Sequence, residues 1–246
     1  MLLAVDIGNS SIKFGVFEQD TFTTKFSIPT DREYTAEDIA GHVGDRLPNV
    51  VDAAIVCSVV PEVDRAVNEY IENSFHVKPR FVLSTDDLGL KINFNVETTG
   101  TDRLVNSFAA AEKYGKPCIV VSLGTATTID VVNREGEYLG GLIAPGMKVS
   151  ARALSLAASM LPEVELRKPE HVIAKTTASA IQSGIVYGQI AMVSGLLERI
   201  IRELGFKPTI IATGGFANLI ANEIDLIDTV DPDLTLEGLN RLARDQ

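Results

Sequence analysis

The stretch Leu3–Phe14 decides the fold of this chain and reads Leu-Ala-Val-Asp-Ile-Gly-Asn-Ser-Ser-Ile-Lys-Phe. Apolar residues lead to Asp6, a turn signal follows at Gly8, and a second apolar run begins at Ile12. Two such runs around a glycine turn predict antiparallel strands joined by a tight turn. We therefore expect the chain to open with a β-hairpin that carries a carboxylate beside its turn.

A second stretch, Ile119–Asp130, repeats this pattern 116 residues later and aligns with the first without gaps. In this alignment Asp6 falls on Ser122. Two matched hairpins, each opening one half of the chain, indicate an internal repeat. We expect two similar domains, over residues 1–115 and 116–246, with a ligand site in the cleft between them.

Strands and helices alternate in both halves. The predicted helices are Thr35–Leu47, Glu62–Phe75, Thr101–Tyr114, Met147–Ala158, Thr177–Leu204 and Leu234–Ala243. The further predicted strands are Thr21–Ile28, Val50–Val59, Tyr138–Ile143 and Thr209–Ala212. Because each half begins with neighbouring antiparallel strands, we expect an α/β fold with two mixed β-sheets flanked by helices, not a pure βαβ ladder.

The longest predicted helix contains Gly184, Gly188 and Gly195. A glycine costs about 1 kcal/mol in a helix interior. We therefore expect these three positions to lie close to the backbone of another element.

The composition excludes some classes of protein. The 246 residues are 46% hydrophobic and 22% charged, which is typical of a globular chain, and the net charge is −11. An acid excess argues against a nucleic-acid partner but not against a nucleotide substrate. Asp6 interrupts the first apolar run, and the longest apolar stretches are too short to span a bilayer. We expect a cytoplasmic protein without a membrane partner, in which Cys57 and Cys118 are small buried residues.

The two glycine turns are candidate phosphate-binding loops. Glycine lets backbone N–H groups approach a phosphate, and neighbouring hydroxyls add donors. Asp6 could hold Mg²⁺ through water, and Lys13 could neutralise phosphate charge. The alternative is an ordinary polar hairpin turn. The chain has neither a Walker loop nor the Gly-x-Gly-x-x-Gly pattern of dinucleotide-binding proteins.

Two further motifs are candidates for chemistry. Gly100-Thr101-Asp102-Arg103 opens a predicted helix, where Asp102 could act as a general base and Arg103 could bind an anion. The alternative role is a helix N-terminal cap. Gly214-Gly215 follows a strand and could admit a flat ring or a phosphate, or form a tight strand–helix turn.

Together these segments resemble type III pantothenate kinases, within the superfamily of acetate kinase, sugar kinases, heat-shock 70 proteins and actin. The matching segments are Asp6–Lys13, Gly100–Arg103, Gly124–Asp130, Gly140–Gly146, Lys175–Thr177 with Gly184, and Thr213–Gly215. They stand in the family's order and cover nearly the whole chain. The resemblance implies two actin-like domains and the ATP-dependent phosphorylation of pantothenate, which opens coenzyme A biosynthesis.

The resemblance also implies roles for individual residues. It implies ATP binding by Asp6, Ile7, Gly8, Asn9, Ser10, Ser11, Ile12, Lys13, Thr125, Gly214 and Gly215. It implies pantothenate binding by Gly100, Thr101, Asp102, Arg103 and Thr177, with Asp102 as the proton acceptor. It further implies Mg²⁺, a monovalent cation (K⁺ or NH₄⁺), and a homodimer, for which the glycine-containing helix in the second domain is the candidate interface.

Two positions depart from the family pattern. The family's second turn begins with an Asp that binds the monovalent cation, and this chain has Ser122 there. A hydroxyl is a neutral and weaker ligand for a hard cation. A substrate-contacting Tyr of the family is replaced by Asn93. Two alternatives therefore remain open: a nucleotide-binding regulator without turnover, and a kinase of another small hydroxyl acid.

Overall fold

The structure, a computed structural model, describes residues 1–244. It divides into two compact units. The first contains Met1–Ala109 and the chain from Asp233 onward, and the second contains Ala110–Pro232. Each unit is built around one five-stranded sheet.

The first unit opens with three antiparallel strands. Its elements are β1 (Leu2–Ile7), β2 (Ser11–Glu18), β3 (Thr21–Pro29), α1 (Ala36–Val43), β4 (Ala53–Ser58), α2 (Pro61–Phe75), β5 (Arg80–Phe81), the beginning of α3 (Thr101–Tyr114) and the C-terminal helix (Leu234–Arg244). The strand order is β3-β2-β1-β4-β5, and β4 and β5 run parallel to β1. The apolar faces of β1, β2 and β4 pack with α1 and α2 into one core.

The second unit repeats this topology. Its elements are β6 (Cys118–Leu123), β7 (Ala126–Val132), β8 (Tyr138–Pro145), α4 (Met147–Ala157), α5 (Thr177–Leu204), β9 (Thr209–Thr213), α6 (Ala217–Ile220) and β10 (Thr229–Val230). The strand order is β8-β7-β6-β9-β10, again with three antiparallel strands followed by two parallel ones. The predicted fold class, two mixed sheets flanked by helices, is confirmed.

The two hairpins differ by one residue in their turns. In the first hairpin Asp6 pairs with Lys13, whereas in the second Ser122 pairs with Thr128. The first strands therefore match at an offset of 116, but the second strands match at 115. The gapless alignment was wrong for the second strands because the turn of the second hairpin is one residue shorter.

The C-terminal helix, α7 (Leu234–Arg244), packs in the first unit and not in the second, where the predicted division at residue 116 had placed it. It lies on β1, β2 and β4, and the Leu236 side chain comes beside Gly15. A Cβ at Gly238 would lie 2.8 Å from the Ala109 Cβ, so this glycine allows α7 to approach α3. An amphipathic pattern shows that a helix has a buried face, but it does not show which sheet that face covers.

Helix α5 forms the main helical wall of the second core. Its buried residues include Ile185, Val193 and Leu197, and Thr176 caps its first turn through a capping box with Ser179. By length and composition the helix could cross a membrane. The sequence analysis had found no stretch long enough for this. Because its buried residues belong to a packed core, we describe α5 as a core helix.

The glycines of α5 do not make the predicted close contacts. A Cβ at Gly184, Gly188 or Gly195 would meet no atom within 4 Å in the described part of the chain, apart from its own helix and neighbours. These glycines therefore leave an open surface on α5. The prediction that Cys57 and Cys118 are buried is confirmed, and both are free thiols. Burial raises the pKa of Cys118 to about 12, and nearby Lys116 partly opposes this shift.

Candidate active site

The first glycine turn, residues 8–10, is held by hydrogen bonds on both sides. The Gly8 N–H donates to the Ser11 carbonyl oxygen at 3.0 Å. The Thr30 hydroxyl donates to the Gly8 carbonyl oxygen at 2.6 Å, and the Thr30 N–H donates to the Ser10 carbonyl oxygen at 3.3 Å. Asn9 and Ser10 are exposed at the tip. The turn is therefore a fixed loop whose tip is open to a ligand.

Two residues that sequence reasoning missed support this turn. Thr30 follows β3 and fixes the turn from the side, as described above. Arg32 lies next to it, and its Nη2 atom is 3.4 Å from the Asn9 Oδ1 atom. Arg32 also pairs with Glu62 at 3.3 Å. No local motif marks either residue, because both reach the turn through the pairing of β3 with β2.

Asp6 and Lys13 form an ion pair beside the turn. They are directly paired on β1 and β2, and the Lys13 Nζ atom lies 3.2 Å from the Asp6 Oδ2 atom. Asp6 is only 7% exposed. A carboxylate this buried is stabilised by the neighbouring ammonium group. The predicted placement of both residues at one turn therefore agrees with the structure.

Asp102 lies in the first turn of α3, with its carboxylate folded back over Gly100. Its Oδ1 atom accepts a hydrogen bond from the Arg103 N–H at 2.9 Å. A Cβ at Gly100 would come within 2.6 Å of that same oxygen. Glycine at this position therefore provides the space that the carboxylate occupies. The capping role and a catalytic role are compatible, since one oxygen is held and the carboxylate is half-buried.

The Cys57 thiol is buried, and several charged side chains influence its pKa. Cys57 lies on β4 directly opposite Asp6. Burial raises its pKa well above the ordinary value, and the negative charges of Asp6, Asp102 and Asp64 add to that shift. Lys13 opposes it. The three carboxylates and the Lys13 ammonium group all belong to the first unit.

A groove of about 770 Å³ opens in the first unit next to this cluster. Its wall includes Gly100 and Thr101 at the start of α3, together with Ser58 and Asp64. The Ser58 hydroxyl donates to Asp64. Burial raises the pKa of Asp64, while the hydrogen bond from Ser58 opposes that shift. The groove thus carries polar groups at the start of α3, next to the candidate base in sequence.

Asn93 is not among the residues that line this groove. It lies exposed in the loop between β5 and α3. The structure therefore brings Gly100, Thr101, Asp102 and Arg103 together at the start of α3 but leaves Asn93 apart from the groove wall.

The second glycine turn, at Gly124 and Thr125, is surrounded by glycines. The Gly124 N–H donates to the Ala126 carbonyl oxygen at 3.0 Å. A Cβ at Gly146 would overlap the carbonyl oxygen of Thr125 and lie 2.5 Å from that of Gly124. Gly214 has a φ of +94°, and a Cβ there would lie 2.6 Å from the Leu123 carbonyl oxygen. Glycines distant in sequence therefore let two other segments pack on this turn.

The loop after β9 borders a small cavity of about 430 Å³. Phe216, which follows Gly214 and Gly215, lines it together with Lys148 and Arg152 of α4. The Lys148 Nζ atom lies 5.8 Å from the centre of the Phe216 ring. Glu163 and Glu165 line the same cavity, so its wall carries charges of both signs beside the aromatic ring.

Thr177 begins α5 and lines a separate groove of about 530 Å³ in the second unit. Gln189 lines the same groove, and its Nε2 atom donates to the Thr127 hydroxyl at 2.5 Å. Thr127 follows the second glycine turn on β7. The hydrogen bond therefore links α5 to the strand that leaves this turn.

The donor set around Asp6 suits magnesium bound through a nucleotide. In residues 1–244 no group of three or more His, Cys, Asp or Glu could hold a metal ion. Mg²⁺ in phosphoryl-transfer sites is commonly held by one or two carboxylates, waters and the substrate's phosphates. A single buried carboxylate beside a phosphate-binding turn fits that arrangement.

Solved structures share this fold at low sequence identity. A protein from Campylobacter jejuni described as a Baf family transcriptional activator matches with a TM-score of 0.61 and 19% identity, over 99% of this chain and 98% of its own. An inorganic polyphosphate/ATP-glucomannokinase from Arthrobacter sp. strain KM matches with a TM-score of 0.50 and 15% identity, over 100% and 99%. These solved structures and this chain share one fold.

Sequence comparison is more specific. A family model described as type III pantothenate kinase matches residues 2–199. A type III pantothenate kinase from Roseiflexus sp. (strain RS-1) is 42% identical over 97% of this chain and 96% of its own length. One from Bacillus cytotoxicus is 40% identical over 98% and 95%. The chain belongs to the type III pantothenate kinase family, as the resemblance predicted.

Proposed function

We propose that this chain transfers the γ-phosphoryl group of ATP to the 4′-hydroxyl of pantothenate, which opens coenzyme A biosynthesis in the cytoplasm. The observation that carries this proposal is the Asp102 carboxylate, which is held over Gly100, a residue of the groove wall. A candidate base and a candidate magnesium ligand, Asp6, thus belong to one unit. The family's named activity supports the same reaction.

The first glycine turn binds the phosphate chain of ATP in this proposal. Its exposed tip at Asn9 and Ser10 presents backbone N–H groups and a hydroxyl. Lys13 and Arg32 add positive charge on either side of the tip. Because Thr30 holds the turn, little conformational entropy is lost when phosphate binds.

Asp6 would hold Mg²⁺, and the ion would neutralise the negative charge that develops on the phosphate chain. The Lys13 Nζ atom lies 3.2 Å from the Asp6 carboxylate, so the ion pair places both charges beside the turn. Asp6 cannot contact phosphate directly, because like charges repel.

Asp102 accepts the proton of the acceptor hydroxyl. As the hydroxyl oxygen forms a bond to the γ-phosphorus, the bond between that phosphorus and the bridging oxygen breaks, and ADP leaves with the electron pair. The hydroxyl proton moves to Asp102 as the oxygen loses its lone pair to phosphorus. The Arg103 N–H donates to the Asp102 Oδ1 atom at 2.9 Å, which holds the carboxylate at the start of α3.

The acceptor binds at the start of α3. Gly100 and Thr101 face the polar groove, and the Arg103 guanidinium can bind the carboxylate of pantothenate bidentately. Asn93 and Thr177 remain predicted contacts on the basis of the resemblance. Gly214 and Gly215 remain predicted ATP contacts on the basis of the resemblance.

We also propose that the chain forms a homodimer through the open face of α5. Gly184 and Gly188 line a largely apolar groove with Leu154 and Met192. Ile173, in the loop before α5, is 87% exposed.

Light scattering after size-exclusion chromatography should show a dimer. Gly188→Arg should give a monomer, whereas Arg199→Ala, also on α5, should remain dimeric; a monomeric parent chain would contradict this interface.

A coupled assay of ADP production tests the reaction. With Mg²⁺ and ATP, the purified chain should release ADP when pantothenate is added and not with other small hydroxyl acids such as glycerate or pantoate. Mass spectrometry should find 4′-phosphopantothenate. Turnover of another hydroxyl acid alone would favour a different kinase. Nucleotide binding without turnover of any acceptor would favour the regulator.

A further inference from the structure

Three hydroxyl residues lie side by side at the mouth of the second glycine turn. Ser122 on β6 is paired directly with Thr128 on β7 and with Thr213 on β9. Directly paired residues on adjacent strands point to the same face of a sheet. We name Ser122, Thr128 and Thr213 the hydroxyl row.

The equivalent positions of the first sheet have different chemistry. There Asp6 is paired directly with Lys13 and with Cys57. The first sheet therefore carries an ion pair next to its turn, whereas the second carries three neutral hydroxyls in the same topological position.

The neighbouring carboxylate on β7 is already engaged. Asp130 is 2% exposed and accepts hydrogen bonds from the Tyr138 hydroxyl at 2.7 Å and from the Thr128 hydroxyl at 3.1 Å. The Asp130 carboxylate thus accepts hydrogen bonds from both Tyr138 and Thr128. Ser122 and Thr213 remain as the members of the row that can donate to a ligand.

The row is rigid because backbone segments pack closely around it. Thr213 is followed by Gly214, whose Cα lies against the Leu123 carbonyl, and the Phe216 N–H donates to that carbonyl at 3.1 Å. Gly146 packs on the turn itself. Fixed hydroxyl donors need little reorganisation to bind an anion.

These residues do not fit the monovalent cation that the resemblance implies. A carboxylate at position 122 could reach a phosphate only through a bridging cation, because both groups are negative. A serine hydroxyl supplies no charge for such a cation, but it can donate a hydrogen bond to a phosphate oxygen directly.

We propose that the hydroxyl row binds the phosphate chain of a nucleotide directly, and that nucleotide binding by this chain requires neither K⁺ nor NH₄⁺. The identity of the ligand as ATP rests on the proposed function. The row acts through Ser122 and Thr213 as donors, with Thr128 oriented by Asp130.

Calorimetric titration with a non-hydrolysable ATP analogue tests this at constant Mg²⁺ and ionic strength. The Kd of the parent chain should agree within about twofold in Na⁺, K⁺ and NH₄⁺ buffers. Ser122→Asp should bind at least tenfold more weakly in Na⁺ and recover in K⁺, because the added carboxylate repels phosphate until a cation bridges the two. Binding by the parent chain that is tenfold tighter in K⁺ than in Na⁺ would overturn the proposal.

Substitutions at the other donor test the hydrogen bond itself. Thr213→Val should weaken binding roughly tenfold, because a hydrogen bond to a charged acceptor is lost. Thr213→Ser should retain the affinity. Thr209→Val removes a hydroxyl from the other end of β9 and should leave binding unchanged. Equal affinity for Thr213→Val and the parent chain would contradict the proposal.

Thermal unfolding confirms that each variant is folded. If Thr213→Val does not fold, Ser122→Ala takes its place, with the same expected weakening. The readout is nucleotide affinity, so it is independent of the acceptor. If nucleotide binding is independent of the cation but pantothenate is not turned over, the proposal for the hydroxyl row stands and the proposed function is refuted. If pantothenate is turned over but nucleotide binding depends on K⁺, the proposed function stands and the proposal for the hydroxyl row is refuted.

Discussion

The two glycine turns occupy equivalent places in two sheets of the same topology, and they differ in what surrounds them. The first turn is held by side chains, with Thr30 bonded to Gly8 and Lys13 paired with Asp6. The second turn is held by backbone, since Gly146 and Gly214 pack directly on its carbonyl groups. The two copies of the hairpin thus differ in chemistry. The first carries an ion pair in the same unit as the candidate base, whereas the second is uncharged and is held by close backbone packing.

This difference predicts where substitutions act. Changes in the first unit should mainly alter rate and affinity, because they remove functional groups. Changes at the glycines of the second unit should mainly alter stability, because they displace backbone.

The largest effect is expected at the candidate base. Asp102→Asn should lower kcat by roughly 10²–10⁴-fold, the usual contribution of a general base, while ATP binding stays within about twofold. Steady-state kinetics and calorimetric titration measure the two effects. Asp45→Asn, an exposed substitution of the same kind in the first unit, serves as the control. Full activity of Asp102→Asn would rule out the base assignment.

Two alanine substitutions compare the glycines of the two units. Gly100→Ala should lower kcat about tenfold or more with little change in stability, because its Cβ would displace the movable Asp102 carboxylate. Gly146→Ala should lower the free energy of unfolding by about 1–3 kcal/mol, because its Cβ would overlap backbone carbonyls that cannot move away. Urea unfolding measures the free energy of unfolding of both variants, and steady-state kinetics measures their kcat. The contrast fails if Gly100→Ala is the less stable variant.

The charge of the first turn should show in nucleotide affinity. Lys13→Met should weaken ATP binding roughly tenfold, because one ammonium group near the phosphates is lost and Asp6 is left without its partner. Rising salt should reduce the difference between Lys13→Met and the parent chain. Lys25→Met removes a surface lysine of the same unit and should bind ATP normally. An unchanged Kd for Lys13→Met would place the phosphates elsewhere.

The smallest effect concerns the two thiols. Both have raised pKa values in the folded chain, so the unfolded chain binds fewer protons above the ordinary thiol pKa. The contribution of the two thiols to stability is therefore constant below about pH 8.5 and falls as pH rises beyond it, by at most about 1.4 kcal/mol per pH unit for each thiol. Urea unfolding between pH 8 and 9.5 should show this slope, and Cys57→Ala and Cys118→Ala should each reduce it. Equal slopes in all three chains would contradict the linkage.

Sequence reasoning succeeded where the pattern is local. The helix Thr101–Tyr114 was predicted with its observed bounds, and the hairpin strands around Gly8 and Gly124 lie where the apolar runs indicated. Sequence reasoning failed where a residue contacts others that are far away in the chain. Arg32 reaches the turn only because β3 pairs with β2, and the closing helix gives no sign of the sheet it covers. Gly184 and its neighbours show the same limit, since a glycine in a helix does not say what faces it.

By itself the sequence determined the two hairpins, the order of elements and the candidate residues for chemistry, because strand and helix periodicity, turn residues and motif spacing are properties of neighbouring residues. The tertiary structure alone decided the one-residue difference between the hairpins, the placement of α7 in the first unit and the alignment of Ser122 with Thr128 and Thr213. These depend on strand pairing and on which faces meet in a core. Such contacts join residues far apart in the chain, and their free energy exists only once the whole unit is folded.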